Sequence, residues 1–213
     1  MKNHQTEFGA LQEIESLTLS HYNDNAIQFY EGTKDHDVSQ NYDAFLGPLL
    51  AGEKAGVKLD ILDFGCGPGR DLQYFRSLGH RPVGLDGSEK LCGIAQKQTD
   101  CRVLCQSFLN LSLASNAYDG VFANASLFHV PKSQLTNVLN ILNQALRKEG
   151  ILFMSNPRGD REGWSGRRYG NFMEFDVIKE YLNNAEFRIL DHYYRPTNLP
   201  VKHRPWLAIV CQK

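Results

Sequence analysis

The chain has 213 residues, of which 42% are hydrophobic, and its 24 acidic and 23 basic side chains give a formal net charge of −1. This composition is that of an ordinary globular protein, and the balanced charge disfavours a general nucleic-acid binder, which usually carries a basic surplus. No apolar run is long enough to span a membrane and the first residues lack a signal core, so we expect a cytoplasmic protein. The five cysteines show no paired spacing typical of metal ligands, so we expect reduced thiols and no metal.

The N-terminal part of the chain is predicted to be helical. Residues 1–20 are helix-prone but carry no chemical signal, and we expect a mobile lead-in there. Apolar side chains at helical spacing then predict a helix from Tyr22 to Tyr30 and a second one from about Ser39. Because these helices precede the first strand, we expect residues 1–52 to form a cap that closes the site against water. Tyr30, Asp37 and Ser39 are candidate site residues of this cap, or they only cap and pack its helices.

The stretch Ile61–Asp71 (ILDFGCGPGRD) organises the rest of the chain. Its apolar start predicts a buried strand, and three glycines at alternate positions follow before a helix begins at Arg70. Glycine permits a positive φ and the close approach of a ligand, while the free N–H groups of a helix start point at that ligand. We therefore predict a nucleotide-binding turn.

The spacing of the glycines indicates which nucleotide binds. A dinucleotide fingerprint would have glycine at the sixth position of the turn, where this chain has Arg70. The pattern Asp-x-Gly-x-Gly-x-Gly from Asp63 resembles motif I of the class I S-adenosylmethionine-dependent methyltransferases, whose ligand brings a cationic methionine end. This resemblance implies S-adenosylmethionine as the cofactor. It also implies one domain over residues 1–213, with a Rossmann-like core at 57–213.

The next strand, Arg81–Asp86, ends in a second acid. The doubly wound fold places there the carboxylate that binds ribose hydroxyls. The cofactor-binding residues predicted after these two strands are Asp63, Gly65, Cys66, Gly67, Asp71, Asp86, Gly87 and Ser88. We expect Cys66 to have no chemical role and to contribute only a small side chain to the turn.

Two further strands are predicted to end beside the same ligand. After the strand Arg102–Cys105 we expect Gln106, Ser107 and Phe108 to frame the adenine, with Ser107 where the class commonly has Asp. The strand Tyr118–Ala123 then leads to a loop at the carboxyl ends of the strands, where Asn124 is a candidate for cofactor binding and catalysis. His129 in this loop is a candidate substrate contact or proton acceptor, or a structural histidine.

The last part of the chain completes a sheet. A helix closed by a glycine stop at Lys148–Gly150 is followed by the strand Ile151–Met154. The polar stretch Ser155–Gly170 is predicted to be a long mobile loop whose arginines could clamp a carboxylate or a phosphate. No helix separates the strands Glu186–Tyr194 and Trp206–Cys211, so we expect antiparallel neighbours. The prediction is a doubly wound α/β fold with seven strands, mostly parallel, the last reversed.

Several stretches together resemble a narrower family, the C-terminal methyltransferase domain of the ovothiol biosynthesis enzyme, 5-histidylcysteine sulfoxide synthase. They are Tyr22–Ala26, Asp35–Asn41, Ile61–Asp71, Phe122–Pro131, Ser155–Gly159, Gly166–Gly170 and His192–Pro200. In that family the domain methylates an imidazole nitrogen of 5-thiohistidine, and the iron-dependent chemistry belongs to other domains. From their positions beside the expected methyl group, His129, Asn124 and Tyr169 are candidate catalytic residues. The candidate substrate contacts, also chosen by position, are Asp37, Ser39, His129, Arg158, Arg168 and Tyr169.

Other functions stay open. A thiol, amine or carboxylate of another small molecule would also fit the turn and the cap. RNA is disfavoured by the charge, although the arginine-rich loop keeps it open. A dinucleotide oxidoreductase is disfavoured by Arg70, and a ligand-binding module without catalysis stays possible, as does any oligomeric state.

Overall fold

A computed structural model describes residues 2–51 and 56–213. The helices within these residues are α1 (Lys2–Asp24), α2 (Ala26–Thr33), α3 (Ser39–Leu49), α4 (Arg70–Ser77), α5 (Glu89–Thr99), α6 (Lys132–Ala145) and α7 (Phe175–Asn184). The strands are β1 (Asp60–Phe64), β2 (Arg81–Asp86), β3 (Arg102–Cys105), β4 (Tyr118–Asn124), β5 (Leu146–Pro157), β6 (Glu162–Ser165), β7 (Arg168–Asn171), β8 (Arg188–Arg195) and β9 (Trp206–Gln212). None of the described helices is both long and apolar enough to span a bilayer.

Seven strands form one twisted sheet in the order β3-β2-β1-β4-β5-β9-β8. All neighbours pair in parallel except β9, which is antiparallel to both β5 and β8. This is the predicted fold class, with the reversed last strand. The strand order reverses between β1 and β4, and ligands of such sheets bind outside the carboxyl ends of the strands at this switch point.

Helices cover both faces of the sheet. On one face, Phe45 of α3 and Phe75 of α4 pack against Phe122 of β4, which stacks on Phe153 of β5 with ring centroids 4.9 Å apart. On the other face, α6 and α7 bury their apolar sides against β1, β4 and β5. The two cores hold the carboxyl ends of β1, β2 and β4 in fixed relative positions.

The chain begins differently from the prediction. The segment expected to be a mobile lead-in is part of the 23-residue helix α1, which packs against β7 and α5. Leu19 of α1 rests on Gly87, where a Cβ would lie 2.6 Å from the leucine side chain. The missing side chain at Gly87 is therefore what lets the helix approach the end of β2.

Two expectations for the middle of the chain are wrong. The helix α6 ends at Ala145, not at the glycine stop, because the buried Leu146 pairs with Tyr118 and starts a 12-residue strand β5. The stretch expected as a loop holds the end of β5 and an antiparallel hairpin of β6 and β7, which turns at Gly166 with a φ of +61°. Strand pairing within the hairpin thus overrides the polar composition of this stretch.

Candidate functional site

A cleft opens at the switch point of the sheet, and the empty space within it, counted out into open solvent, is about 670 Å³. It is lined by residues that follow β1, β2, β3 and β4, and it is covered by side chains of α1 and α2. The predicted site residues that line this cleft are Gly65, Gly67, Asp86, Gly87, Ser107, Phe108 and His129.

The glycine turn after β1 has the predicted backbone. Gly65 and Gly67 take φ values of +80° and +52°, which disfavour any residue with a Cβ. A Cβ on Gly65 would also lie 2.3 Å from the Cβ of Ser126. The intervening Cys66 is buried, and burial raises the pKa of its thiol, so it is a small space filler and not a nucleophile.

Asp86 connects the turn to β2 and faces the cleft. One carboxylate oxygen accepts the Gly67 N–H at 2.9 Å, and the other accepts the Ser88 N–H at 2.9 Å. Burial raises the pKa of Asp86, while these backbone hydrogen bonds oppose that rise. Each carboxylate oxygen keeps a second lone pair, so Asp86 can still accept two ligand hydroxyls.

Asp63 lies beneath the turn and does not line the cleft. It is 1% exposed, and no described group hydrogen-bonds to its Oδ2. Burial, reinforced by the nearby carboxylates of Asp71 and Asp86, raises its pKa. An unpaired buried carboxylate oxygen costs stability, and a cation placed close to it would relieve that cost. The Asp63 carboxylate therefore favours a cationic ligand group in the adjacent turn, without contacting it from the cleft wall.

Asp71 is committed to the protein. Arg70 donates to its two carboxylate oxygens at 2.7 and 2.9 Å, and the Tyr42 hydroxyl donates at 2.5 Å. The Asn124 amide also donates to Asp71, at 3.4 Å, and its oxygen accepts from Asn41 at 3.0 Å. Asp71 and Asn124 are therefore ties between α3, α4 and the end of β4, and neither lines the cleft.

Ser88 and Gln106 also lie outside the cleft. Ser88 is fully buried and caps α5, with its hydroxyl bonded to the Leu91 N–H at 3.3 Å and the Asn23 oxygen at 2.7 Å. Both ends of the Gln106 amide bond to the backbone of Ser112. The face left for an adenine ring is Phe108, which stacks on Phe64 with centroids 4.3 Å apart.

The cap contributes side chains that the sequence reasoning did not name. Tyr30 does not line the cleft, and the exposed Asp37 and Ser39 lie in the turn that leads into α3, where the Ser39 N–H donates to Asp37 at 2.9 Å. Tyr22 and Phe29 line the cleft in their place, with ring centroids 5.3 Å apart. Tyr22 lies near the end of α1 and Phe29 lies in α2, so their spacing along the sequence did not by itself place either ring in the cleft.

His129 lies in the wall of the cleft with both ring nitrogens bonded. Its Nδ1 is 2.6 Å from the Tyr169 carbonyl, and its Nε2 is 2.8 Å from the Tyr22 hydroxyl. Burial lowers the pKa of His129 to about 4, the Tyr169 carbonyl opposes this, and the charges of Arg168 and His21 lower it further. The imidazole is therefore neutral near pH 7.

The β6–β7 hairpin holds Tyr169 over His129. Arg167 pairs with Asp24 of α1 at 2.8 Å, and the Tyr169 N–H donates to Thr18 at 3.1 Å. Tyr169 thus acts on His129 through its backbone, while its ring packs edge-on against Trp164. The exposed Arg168 lies close enough to lower the pKa of both Tyr22 and His129.

Arg158 is not part of this arrangement. Its guanidinium bonds Glu174 at 2.9 and 3.0 Å and the carbonyls of Val201 and Arg204 at 2.7 and 3.0 Å. It therefore clamps the chain between β8 and β9 and is saturated. Within residues 2–51 and 56–213, no three His, Cys, Asp or Glu side chains converge into a group that could hold a metal ion.

The fold, the glycine turn and the acid after β2 together define a class, that of Rossmann-like proteins that bind a nucleoside at the switch point. Residues 61–150 match the family model described as "Methyltransferase domain". No curated protein sequence matches the chain significantly.

Solved structures share the fold over nearly the whole chain. One is 1,6-didemethyltoxoflavin-N1-methyltransferase of Burkholderia thailandensis, with 22% identity and a TM-score of 0.66 over 98% of this chain and 89% of that one. Another is magnesium protoporphyrin IX methyltransferase of Synechocystis PCC 6803, with 18% identity and a TM-score of 0.67 over 94% and 97%. A third is an S-adenosylmethionine-dependent methyltransferase of Mesorhizobium loti, with 18% identity and a TM-score of 0.65 over 80% and 98%.

Residues 61–150 thus carry a methyltransferase domain, and the chain shares the fold of S-adenosylmethionine-dependent methyltransferases. The cofactor and enzyme class expected from motif I are thereby confirmed. None of the comparisons supports the resemblance to the ovothiol enzyme, and the acceptor stays a prediction.

Proposed function

We propose that this enzyme methylates a nitrogen of a small, amino-acid-like molecule, with 5-thiohistidine as the specific candidate. The observation that carries the proposal is one covered cleft that is lined by Gly65, Gly67 and Asp86 and also by Tyr22 and His129. Groups suited to binding the methyl donor and groups suited to binding a polar methyl acceptor thus face the same cleft.

The residues present suit the cofactor. We propose that Asp86 binds the ribose hydroxyls, that Phe108 packs on the adenine, and that the turn at Gly65 and Gly67 contacts the methionine end. The unpaired oxygen of Asp63 would compensate the ammonium charge. When bound, S-adenosylmethionine supplies an electrophilic methyl carbon on a sulfonium.

The cap supports a small acceptor. Methyl transfer is an in-line displacement in which charge disperses, so the protein contributes mainly positioning and the exclusion of water. Leu19, Tyr22 and Phe29 cover the cleft, and the hairpin fixes α1 in that place. A macromolecular acceptor would have to displace this helix, and the near-neutral chain offers little attraction for RNA.

The acceptor's own groups are proposed from the polar side chains near the rim. Arg168 is exposed beside Tyr22, and a guanidinium binds carboxylates with two parallel hydrogen bonds. An amino-acid carboxylate there would leave the side chain of the acceptor facing Tyr22 and His129. The stretches shared with the ovothiol domain are what single out 5-thiohistidine.

A second acceptor class has support of its own. The Burkholderia relative is named as an N1-methyltransferase, and its bound ligand is 1,6-didemethyltoxoflavin. Its structure aligns with 98% of this chain, so the cap and hairpin region is included in the match. A nitrogen heterocycle without a carboxylate is therefore the alternative substrate.

The test combines binding with product analysis. Calorimetry with S-adenosylhomocysteine should show binding to the wild type and to Asp35→Ala, a control in the exposed segment before α3, and strongly weakened binding to Asp86→Ala. Mass spectrometry should then detect methylated 5-thiohistidine and no methylated histidine. Arg168→Ala should raise the KM for 5-thiohistidine and leave the KM for an imidazole thiol without a carboxylate unchanged. No methylation of either acceptor, with S-adenosylhomocysteine bound normally, would reject this substrate class.

A further inference from the structure

We infer that Tyr22 and His129 form a catalytic pair that removes a proton from the methyl acceptor. Tyr22 is assigned the direct contact with the acceptor, and His129 is the base behind it. The inference rests on the proposed methyl transfer. It gives Tyr22 of α1 a catalytic role, and it requires a methyl-accepting group that has a proton to lose.

The hydrogen bonds determine which nitrogen of His129 is basic. The Tyr169 carbonyl can only accept, so Nδ1, which lies 2.6 Å from it, must carry the imidazole proton. A neutral imidazole then has its lone pair on Nε2. The Tyr22 hydroxyl, 2.8 Å away, therefore donates its proton to Nε2. The two hydrogen bonds therefore run in one direction, from the Tyr22 hydroxyl to Nε2 of His129 and from Nδ1–H of His129 to the Tyr169 carbonyl.

Packing holds the two rings in this arrangement. Tyr22 packs edge-on against Phe29 at 5.3 Å and against His129 at 5.4 Å. Phe128 lies against the other side of His129, with centroids 4.0 Å apart. Tyr22 and His129 are 107 residues apart in the chain, yet both line the cleft. A pair that only tied α1 to the sheet would not need to face the ligand space.

The surroundings keep this pair neutral before the reaction, so the proposed role depends on the hydrogen-bond geometry. Burial raises the pKa of Tyr22. The positive charge of Arg168 on β7 opposes this rise, and the negative charge of Asp86 at the end of β2 adds to it. His21 on α1 and Arg168 are the cations that face His129. Because His129 is neutral throughout the physiological range, it is ready to accept a proton without a prior ionisation step.

The step balances in atoms and charge. The acceptor's lone pair forms the bond to the methyl carbon, and the sulfur–carbon bond breaks with its electron pair staying on sulfur. The proton that the acceptor loses goes to the Tyr22 oxygen, while the Tyr22 proton goes to Nε2 of His129. The products are a neutral thioether, the methylated acceptor and a His129 imidazolium that donates from both nitrogens. 5-Thiohistidine is an acceptor of this kind, because its neutral imidazole carries a free lone pair on one nitrogen and the proton to be lost on the other.

The first test needs neither cofactor nor acceptor. Nitrogen-15 NMR of the full chain should show His129 with its proton on Nδ1, and Tyr22→Phe should shift the Nε2 resonance. The chain has seven histidines, so the resonance is assigned by its absence in His129→Gln. A proton found on Nε2 would overturn the inference, whether or not an acceptor has been found.

The second test separates catalysis from binding. Tyr22→Phe keeps the ring and removes the hydroxyl, and it should lower kcat by about 100-fold, the lower end of general-base effects, with S-adenosylhomocysteine binding retained. In this variant kcat should rise with pH, because the acceptor must lose its proton to solvent. Tyr181→Phe on α7, outside the cleft, should match the wild type. An unchanged kcat, or equal losses in kcat and cofactor affinity, would overturn the role. Absence of turnover in the wild type would instead reject the proposed function.

Discussion

The neutral state of His129 makes the stability of this protein depend on pH in a calculable way. The folded chain holds the pKa of His129 at about 4, against 6.5 for an exposed histidine. Between these values the unfolded chain binds a proton that the folded chain does not, so the free energy of unfolding falls as the pH drops through this window. The full difference corresponds to about 3 kcal/mol, of which about 2 kcal/mol is lost between pH 7 and pH 5.

Urea unfolding of the wild type and of His129→Gln at both pH values isolates this contribution. Other groups titrate in the same window, and they cancel when the two proteins are compared. His129→Gln should destabilise the protein at pH 7, and this effect should shrink by about 2 kcal/mol at pH 5, since only the wild type carries the histidine that resists protonation. His203→Gln, at an exposed site, should show no such change. An effect of His129→Gln that is equal at both pH values would refute a buried neutral imidazole.

Three other substitutions test the architecture around the cleft. Gly65→Ala should cost about 1–3 kcal/mol in chemical denaturation and abolish cofactor binding, because its φ is +80° and a Cβ would clash, whereas Gly93→Ala inside α5 should be neutral or stabilising. Tyr42→Phe removes a hydroxyl that donates to the Asp71 carboxylate and should cost about 1.5–3 kcal/mol, and a loss below about 0.5 kcal/mol would contradict the tie. Arg167→Ala breaks an exposed ion pair, which solvent screens, so the free energy of unfolding should change little. Hydrogen exchange should nevertheless quicken in α1 and the β6–β7 hairpin, and unchanged exchange would show that this pair does not hold them.

The features predicted well from the sequence depend on neighbours in the chain. The turn from Asp63 to Arg70 could be recognised because alternate glycines and a following helix are a local signal. The strand ending at Asp86 was visible for the same reason, since its apolar run and terminal acid are contiguous. The reversal of β9 followed from the lack of a helix before it.

The features missed depend on partners far along the chain. Nothing near Tyr22 indicates that it meets His129, and the fit of Leu19 on Gly87 depends on a glycine 68 positions away that reads locally as a turn residue. Asp71 occupies a plausible ligand-binding position, but Arg70 and Tyr42 already use its lone pairs. The sequence showed which chemistry each side chain can perform. It did not show whether neighbouring residues already occupy that side chain's hydrogen-bonding groups.

The family match at residues 61–150 excludes α1 and α2, which cover the cleft, and the hairpin that contacts α1. An expression fragment trimmed to the matched stretch would keep the glycine turn and Asp86 and discard Tyr22, Phe29 and the Tyr169 carbonyl. It would also lose most of β5 and all of β8 and β9, so the turn would have no complete sheet behind it. An engineer who wishes to change the methyl acceptor can instead keep the full chain and vary α1 and the hairpin, leaving the glycine turn and Asp86 unchanged.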